Sequence, residues 1–142
     1  NTKLVIKAHP ADIDADNYRK VVGKNAVVVQ HEDIHGLLHA ADFVISQGST
    51  VGLEAIAFGK PVIIYGKNQP LNSIFHPNKP TTKKAFLRAT DPRSLSRVLK
   101  QIKNTKFKKL LIEREKKFYS QHGYKMDGKA TERGIALIKS ML

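Results

Sequence analysis

Residues 43–66 constrain the fold of this chain more than any other segment. They contain, in order, a short apolar run, the turn Gly48-Ser49-Thr50, a stretch with helical spacing, the stop Gly59-Lys60-Pro61 and a second apolar run. This order is that of a strand–helix–strand unit, in which glycine just past the helix and a nearby proline end the helix. In such units the turn lies at the carboxyl end of the first strand, where phosphate-bearing ligands bind. The segment therefore predicts a phosphate- or nucleotide-binding half of an α/β enzyme.

Short apolar runs elsewhere in the chain extend this alternation of strands and helices. The predicted strands cover residues 4–7, 26–30, 43–46, 62–65 and 85–88. Their valine and isoleucine content and near-continuous apolarity are typical of parallel strands that are buried on both faces. We therefore predict an α/β fold, a three-layer α/β/α arrangement with a mainly parallel, Rossmann-like sheet of about five strands and helices at the C-terminus. A length of 142 residues predicts a single domain over residues 1–142.

Capping residues and apolar spacing predict the helices. Asp33 has the position of an N-cap for a short helix through residue 40, and Asp91-Pro92 opens a helix to about residue 103. Two further helices are indicated by apolar stripes, one formed by Phe107, Leu110, Leu111 and Phe118 and one by Ile135, Leu137, Ile138 and Leu142. Residues 66–84 hold three prolines and read as a long loop, a length that is usually functional or mobile.

The positive charge of the chain is concentrated in its second half. The formal net charge is +13, yet residues 1–70 hold 7 Lys/Arg and 7 Asp/Glu, whereas residues 71–142 hold 18 and 5. Such a basic half attracts nucleic acid, anionic lipid headgroups or an acidic polymer, although a solvated lysine-rich helical surface explains it equally well. No apolar run approaches the length of a membrane span. The absence of cysteine excludes disulfides and thiolate chemistry and fits a cytoplasmic location.

The turn in the neutral half supplies most of the candidate binding residues, which are Gln47, Gly48, Ser49, Thr50 and Glu54. Gly48 permits a backbone conformation that other residues avoid. The hydroxyls of Ser49 and Thr50 can cap the helix or donate to phosphate, and Glu54 lies one turn further on. A purely structural turn remains the alternative interpretation.

Two further candidates, Lys7 and His9, end the first predicted strand. In a parallel sheet this end lies at the same edge as the Gly48 turn. An imidazole there can donate a hydrogen bond to phosphate and, when protonated, neutralise a departing diphosphate. His9 is therefore a candidate leaving-group stabiliser, with a structural role as the alternative, and no residue is assigned as a catalytic acid or base.

The segment from His31 to His35 matches the zinc-protease pattern H-E-x-x-H, and we predict that it binds no metal. The zinc site needs both histidines on one face of one helix. Here a predicted strand runs directly into His31 and Asp33 has the position of a cap, so His31 should precede the helix. A third ligand at the expected downstream spacing is also missing, since residue 41 is alanine.

These motifs together resemble a known family. Residues 7–10, 33–38, 41–46, 48–54 and 59–62 occur in the order and spacing of the C-terminal nucleotide-binding domain of GT-B-fold glycosyltransferases. The chain is similar to bacterial capsule-polysaccharide and CDP-glycerol glycerophosphotransferase-like enzymes, and more distantly to UDP-N-acetylglucosamine 2-epimerases. Residues 129–135 are similar to the terminal helix of such chains.

The resemblance implies a role for each candidate residue. His9 would contact the donor phosphate, Ser49 and Thr50 would bind diphosphate oxygens, Glu54 would hold ribose hydroxyls, and the backbone around Ile34 would meet the base. In this family the catalytic base usually comes from an N-terminal domain, and a further strand precedes the His-Pro strand. We therefore expect a preceding domain in the same polypeptide. The resemblance also implies a metal-independent reaction without a cofactor, in which the nucleotide-activated donor is a substrate.

The sequence thus predicts the donor-binding half of a glycosyltransferase of bacterial surface-polysaccharide synthesis, which binds a nucleotide-activated sugar or a CDP-activated glycerol. We expect a cytoplasmic protein, peripheral on the inner face of the membrane, whose basic half faces an anionic membrane surface or an acidic polymer acceptor and no specific nucleic acid. Two alternatives remain open. One is a sugar-nucleotide 2-epimerase of the same fold, and the other is a non-enzymatic module that binds polyanions or nucleic acid.

Overall fold

The computed structural model describes residues 3–67, 73–79, 81, 82 and 84–142. The elements follow one another as β1 (Leu4–Lys7), α1 (Ala15–Val21), β2 (Ala26–Val29), α2 (Ile34–Ala40), β3 (Val44–Ser46), α3 (Val51–Ala57), β4 (Val62–Tyr65), β5 (Leu87–Ala89), α4 (Pro92–Ile102), α5 (Thr105–His122) and α6 (Ala130–Met141). The chain forms two compact units, unit 1 (Asn1–Leu37) and unit 2 (Leu38–Leu142). Every strand pair among the described residues is parallel, which confirms the predicted α/β class. The prediction of a single domain stays a prediction.

Unit 1 contains a two-stranded ladder of β1 and β2, and this ladder is only partly covered. Val5 lies opposite Val27 in the register, and these two side chains are 50% and 57% exposed. The next pair, Ile6 and Val28, points to the other face because side chains alternate along a strand, and there Val28 is buried. The prediction that the strands are buried on both faces is therefore wrong for this ladder, since only one face is packed.

Unit 2 contains a three-stranded ladder in the order β3-β4-β5, and its central strand is fully packed. Val62, Ile63 and Ile64 are at most 1% exposed, which confirms the prediction of burial on both faces for this strand. On one face Ile63 forms a core with α4 and α5, which contribute Val98, Ile102 and Leu111. The last strand begins at Leu87, two residues later than predicted.

The opposite face of this sheet is covered by α3 and by part of the 66–84 loop. Phe75 is fully buried, and its ring lies against Gly52 of α3. The same ring packs against Phe86 and Phe118, with centroids 5.2 and 5.8 Å away. Segments of the chain therefore pack on both faces of the three-stranded sheet. Unit 2 has the three layers that were predicted. The described part of the loop holds no helix or strand, as predicted, whereas Pro70 and Pro80 lie outside the described residues.

The helix ends follow the local signals in the sequence. Asp91 caps α4 by accepting a hydrogen bond from the Ser94 amide at 2.9 Å, and Pro92 occupies the first helical position. Gly59 ends α3 with φ +68°, a conformation that favours glycine. The Gly59 amide donates to Ile56 O and the Lys60 amide to Ala55 O, which satisfies two carbonyls of the last turn. The predicted start of α4 and stop of α3 are thus confirmed.

The two C-terminal helices form as predicted, but their apolar stripes pack differently. On α5, Leu111 and Phe118 are buried, whereas Leu110 is half exposed and Glu115 is buried instead. On α6 no residue is buried. Apolar spacing therefore identified the helices correctly but did not identify which side chains they bury. None of the helices in the described part of the chain is long and apolar enough to cross a membrane.

Candidate functional site

His9 lies in the loop after β1, exposed and with its ring orientation fixed by the backbone. The Ala11 amide donates to His9 Nδ1 at 3.1 Å. Because Nδ1 acts as an acceptor, the neutral imidazole carries its proton on Nε2. His9 can therefore offer an Nε2–H donor to an anionic oxygen, which is the chemistry expected of a phosphate-binding histidine.

Gln30 fixes the loop that carries His9, a role that was missed from the sequence. Its side-chain Nε2 lies 3.2 Å from His9 O, 3.2 Å from Pro10 O and 2.8 Å from Asp12 O. Gln30 follows β2, whose last residue pairs with Lys7 at the end of β1. A polar residue at the end of the neighbouring parallel strand was the available signal, because its amide can reach the adjacent loop.

Lys7 joins the ends of the two strands of unit 1. Its Nζ donates to Gln30 O at 2.6 Å and to Ala8 O at 3.1 Å. Two of the three ammonium hydrogens are therefore used by backbone carbonyls, and the charge is held at the carboxyl edge of the ladder. Lys7 can act on an anion there through its charge and its third N–H.

Asp33 caps α2 and separates it from the preceding histidine. Its Oδ2 accepts from the Gly36 amide at 2.7 Å and its Oδ1 from the His35 amide at 3.3 Å. These backbone bonds, that of Gly36 first, hold the pKa of the Asp33 carboxyl below its usual value. The helix begins at the half-buried Ile34, so His31 precedes it as predicted. No group of three or more metal-ligating side chains occurs among the described residues.

The turn after β3 is organised by Ser46, a residue that the sequence analysis did not select. Ser46 Oγ accepts from the amides of Gly48 and Ser49, both at 3.2 Å. Gly48 has φ +93°, so the predicted need for glycine is confirmed. Ser49 Oγ accepts from the Val51 amide at 3.1 Å, whereas Thr50, the N-cap residue of α3, makes no side-chain capping bond. The exposed turn thus presents hydroxyls whose positions are set by its own backbone.

Close packing on the first turn of α3 involves Phe75. A Cβ at Gly52 would lie 2.9 Å from Phe75 Cζ, closer than van der Waals contact allows. Gly52 therefore makes room for this ring. Glu54 lies one turn into α3 and is half-buried, and Gln47 is exposed on the turn. The roles of Glu54 at the ribose and of Ile34 at the base stay predictions.

Arg88 is a second residue that sequence reasoning missed, because it was read as the end of an apolar run. It lies in register with Ser46 across β4, so both side chains point to the same face of the sheet. Its Nη2 donates to Phe75 O at 2.6 Å, while its buried Nε finds no hydrogen-bond partner among the described residues. Burial lowers the pKa of this guanidinium. A cation here can fix the loop that covers α3 and attract an anion at this face.

One comparison with known proteins points to a biological process. Residues 1–70, just under half of the chain, match the family described as capsule polysaccharide biosynthesis protein. No curated protein and no solved structure matches the chain. Every candidate residue predicted from the sequence falls inside the matched stretch, whereas the basic half, residues 71–142, lies outside it. The similarity supports a capsule-synthesis-related family and a biosynthetic role in the formation of surface polysaccharide.

Proposed function

We propose that this chain is the donor-binding part of a glycosyltransferase that acts in capsule-polysaccharide synthesis and uses a nucleotide-activated donor. The observation that carries the proposal is that the stretch similar to capsule polysaccharide biosynthesis proteins contains all the candidate binding residues. The geometry of the His9 loop and of the 46–50 turn supports it. Each offers hydrogen-bond donors in a conformation that backbone contacts fix.

His9 would stabilise the leaving group. When the bond between the activated carbon and the donor phosphate breaks, negative charge develops on the phosphate oxygen. The Nε2–H of His9 would donate to that oxygen, and a protonated ring would also neutralise part of its charge. The Nδ1 contact with the Ala11 amide supports this assignment, because it leaves Nε2 as the donor of the neutral ring. Lys7 would add positive charge at the same strand end.

The 46–50 turn would hold the other phosphate oxygens. Thr50, which makes no side-chain capping bond, can donate its hydroxyl to phosphate, and Ser49 can donate its hydroxyl hydrogen while its oxygen accepts from Val51. Glu54 would accept from the ribose hydroxyls one turn further along α3. The backbone at Ile34 would contact the base, in line with the family resemblance.

The experiment that tests the proposal is calorimetric titration of the chain with CMP, CDP, UDP and GDP. We expect one nucleotide to bind and His9→Ala to weaken it by roughly 10- to 100-fold, the value of a hydrogen bond to a charged group. His31→Ala is the matched control, an exposed histidine that precedes α2. Glu54→Ala should also weaken binding, whereas Glu132→Ala, in the first turn of α6, should not.

A double-mutant cycle asks whether Ser49 and Thr50 of the 46–50 turn bind the same phosphate group. If they do, the combined loss for Ser49→Ala with Thr50→Ala should differ from the sum of the single losses. Strictly additive losses would contradict a shared phosphate. Absence of binding by all four nucleotides would reject the donor-binding proposal.

A further inference from the structure

The C-terminal helix α6 is amphipathic, and its apolar face is not packed into the core of unit 2. It buries no residue, and its apolar side chains are open to solvent, with Leu137 63%, Ile138 60% and Met141 78% exposed. Exposed apolar residues that occur singly are normal, but a contiguous apolar face usually marks an interaction surface. The apolar face of α6 therefore needs a partner outside this unit.

The arrangement of residues around α6 fits a helix that lies flat in a membrane interface. At about 100° per residue, the apolar side chains of Ile135, Leu137, Ile138 and Met141 fall within a sector of about 160°. Arg133 and Lys139 lie just outside the two margins of that sector, while Glu132, Ala136 and Ser140 occupy the opposite side. Long basic side chains beside an apolar face can keep their charges in the headgroup layer while their stems are buried.

The segment before α6 adds an aromatic and a second apolar residue to this surface. Tyr124 is 62% exposed and Met126 46% exposed. The Lys125 ammonium and the Arg133 guanidinium lie 5.3 and 5.2 Å from the centre of the Tyr124 ring. Tyrosine is enriched at membrane interfaces because its ring is apolar and its hydroxyl is polar. Arg133 is also bound to Asp127 at 2.8 Å, so this ion pair holds the segment against the start of α6.

Charge decides which partner suits this face. Residues 124–142, which form this surface, hold four basic side chains (Lys125, Lys129, Arg133 and Lys139) and two acidic ones (Asp127 and Glu132), so the surface is net positive. We propose that α6, together with residues 124–129, is a docking surface for an anionic lipid bilayer, with its apolar face in the headgroup–acyl boundary. This positive charge would not strengthen binding to a neutral bilayer. A protein partner would need acidic residues around an apolar groove. The inference does not rest on the proposed donor binding.

The test is flotation of the full chain with vesicles of phosphatidylserine and phosphatidylcholine, compared with vesicles of phosphatidylcholine alone. We expect binding to the anionic vesicles that weakens at high salt. Replacing Ile135 and Ile138 together by serine should reduce the partition at least about tenfold, because two apolar side chains no longer enter the boundary. Ala136→Ser, on the polar side of α6, is the matched control. Unfolding temperatures should stay unchanged, because α6 buries no residue.

A second set of variants tests the charge. Changing Lys125, Lys129 and Lys139 to glutamine should weaken binding to anionic vesicles by about fivefold for each lysine. The matched control changes the exposed Lys3, Lys20 and Lys24 of unit 1 and should have little effect. Equal binding to both vesicle types, no binding to either, or wild-type binding by the Ile135/Ile138 variant would overturn the proposal. Self-association that this variant abolishes, without vesicle binding, would show that the face is a protein interface instead.

Discussion

Unit 1 and unit 2 use the same parallel strand pairing but are stabilised differently. In unit 2 the central strand β4 is buried on both faces by apolar side chains. In unit 1 the strand pair leaves Val5 and Val27 half exposed, and the loops at its carboxyl end are fixed by polar contacts of Lys7 and Gln30. Apolar burial therefore sets the stability of unit 2, whereas hydrogen bonds to backbone carbonyls set the shape of unit 1.

The kind of contact that fixes a loop also decides whether its side chains stay accessible to a ligand. A loop that is tied by side-chain hydrogen bonds holds a residue such as His9 in place without covering it, so the residue can still meet a ligand. In unit 2 the loop with Phe75 is packed against α3, and it is fixed by apolar contacts and by Arg88.

The largest effect is expected at Glu115, the buried carboxyl in unit 2. Its Oε1 accepts from the Val62 amide at 2.9 Å, and its buried Oε2 has no partner among the described residues. Burial raises the pKa of Glu115 to about 8, against 4.5 for the free side chain. The folded state therefore binds the carboxyl proton of Glu115 more tightly than the unfolded state does. The contribution of Glu115 to folding stability is complete below pH 4.5 and falls as the pH rises towards 8.

Glu115→Gln should remove this dependence, because the amide stays neutral and can still accept from Val62. The free energy of unfolding of the variant should exceed that of wild type by an amount that grows to roughly 5 kcal/mol above pH 8. Denaturant unfolding at pH 5, 7 and 9 measures it. Glu113→Gln on the same helix, an exposed partner of Lys116 at 3.2 Å, is the control and should change little. A constant difference at all three pH values would show that Glu115 is not a buried neutral acid.

A matched pair of valines tests the apolar half of the comparison. Val62→Ala in β4 should lower the free energy of unfolding by roughly 2 kcal/mol, because a fully buried side chain is shortened and leaves a cavity. Val27→Ala in β2, where the side chain is 57% exposed, should change it by no more than about 0.5 kcal/mol. Equal losses in denaturant unfolding would mean that β2 is covered in solution.

Gln30→Ala tests the polar half of the comparison. Removal of its amide should cost about 1 kcal/mol of local stability, because the carbonyls of His9, Pro10 and Asp12 lose their common donor. Hydrogen exchange of the Asp12 amide, which donates to His9 O at 2.9 Å, should then become faster. Gln101→Ala on the exposed side of α4 is the control. Unchanged exchange at Asp12 would show that the loop holds its shape without Gln30.

The smallest effect is expected at the exposed cap of α2. Asp33→Ala should speed hydrogen exchange of the His35 and Gly36 amides, whereas Asp33→Asn should keep most of the protection because it can still cap. The pKa of Asp33 is lower in the folded chain than in the unfolded chain. The carboxylate therefore stabilises the fold fully above the pKa that it has in the unfolded chain, and this stabilisation is lost as the pH falls through the pKa that it has in the folded chain. Protection that falls in acid in the wild type should therefore not fall in the Asn variant.

Local signals explain which elements were predicted correctly. A glycine that needs positive φ, such as Gly48 or Gly59, and a cap such as Asp33 or Asp91 act on neighbouring backbone atoms. Residues close in sequence carry the whole interaction, so a single sequence is enough to find them. The same holds for the strand positions, whose short apolar runs matched the observed ladders to within two residues.

Most of the residues that were missed depend on contacts between distant segments. Ser46 was within reach, because its hydroxyl caps a turn only two residues away. Gln30 acts on a loop about 20 residues earlier, and Arg88 and Glu115 act on Phe75 and Val62. Their side chains look ordinary in the sequence, because arginine and glutamate are expected on the surface. Only the folded structure shows which of these side chains are buried away from solvent.

The amino-acid sequence alone sets the approximate positions of the strands and the conformations of the turns at Gly48 and Gly59, because sterics and hydrogen bonds within a few residues control them. Burial depends on the folded chain, in which β4 is buried while the β1–β2 ladder is half open, Glu115 lies inside and no residue of α6 is buried. The physical reason is that burial is a property of the surface a neighbour covers, and that neighbour can be any segment of the chain.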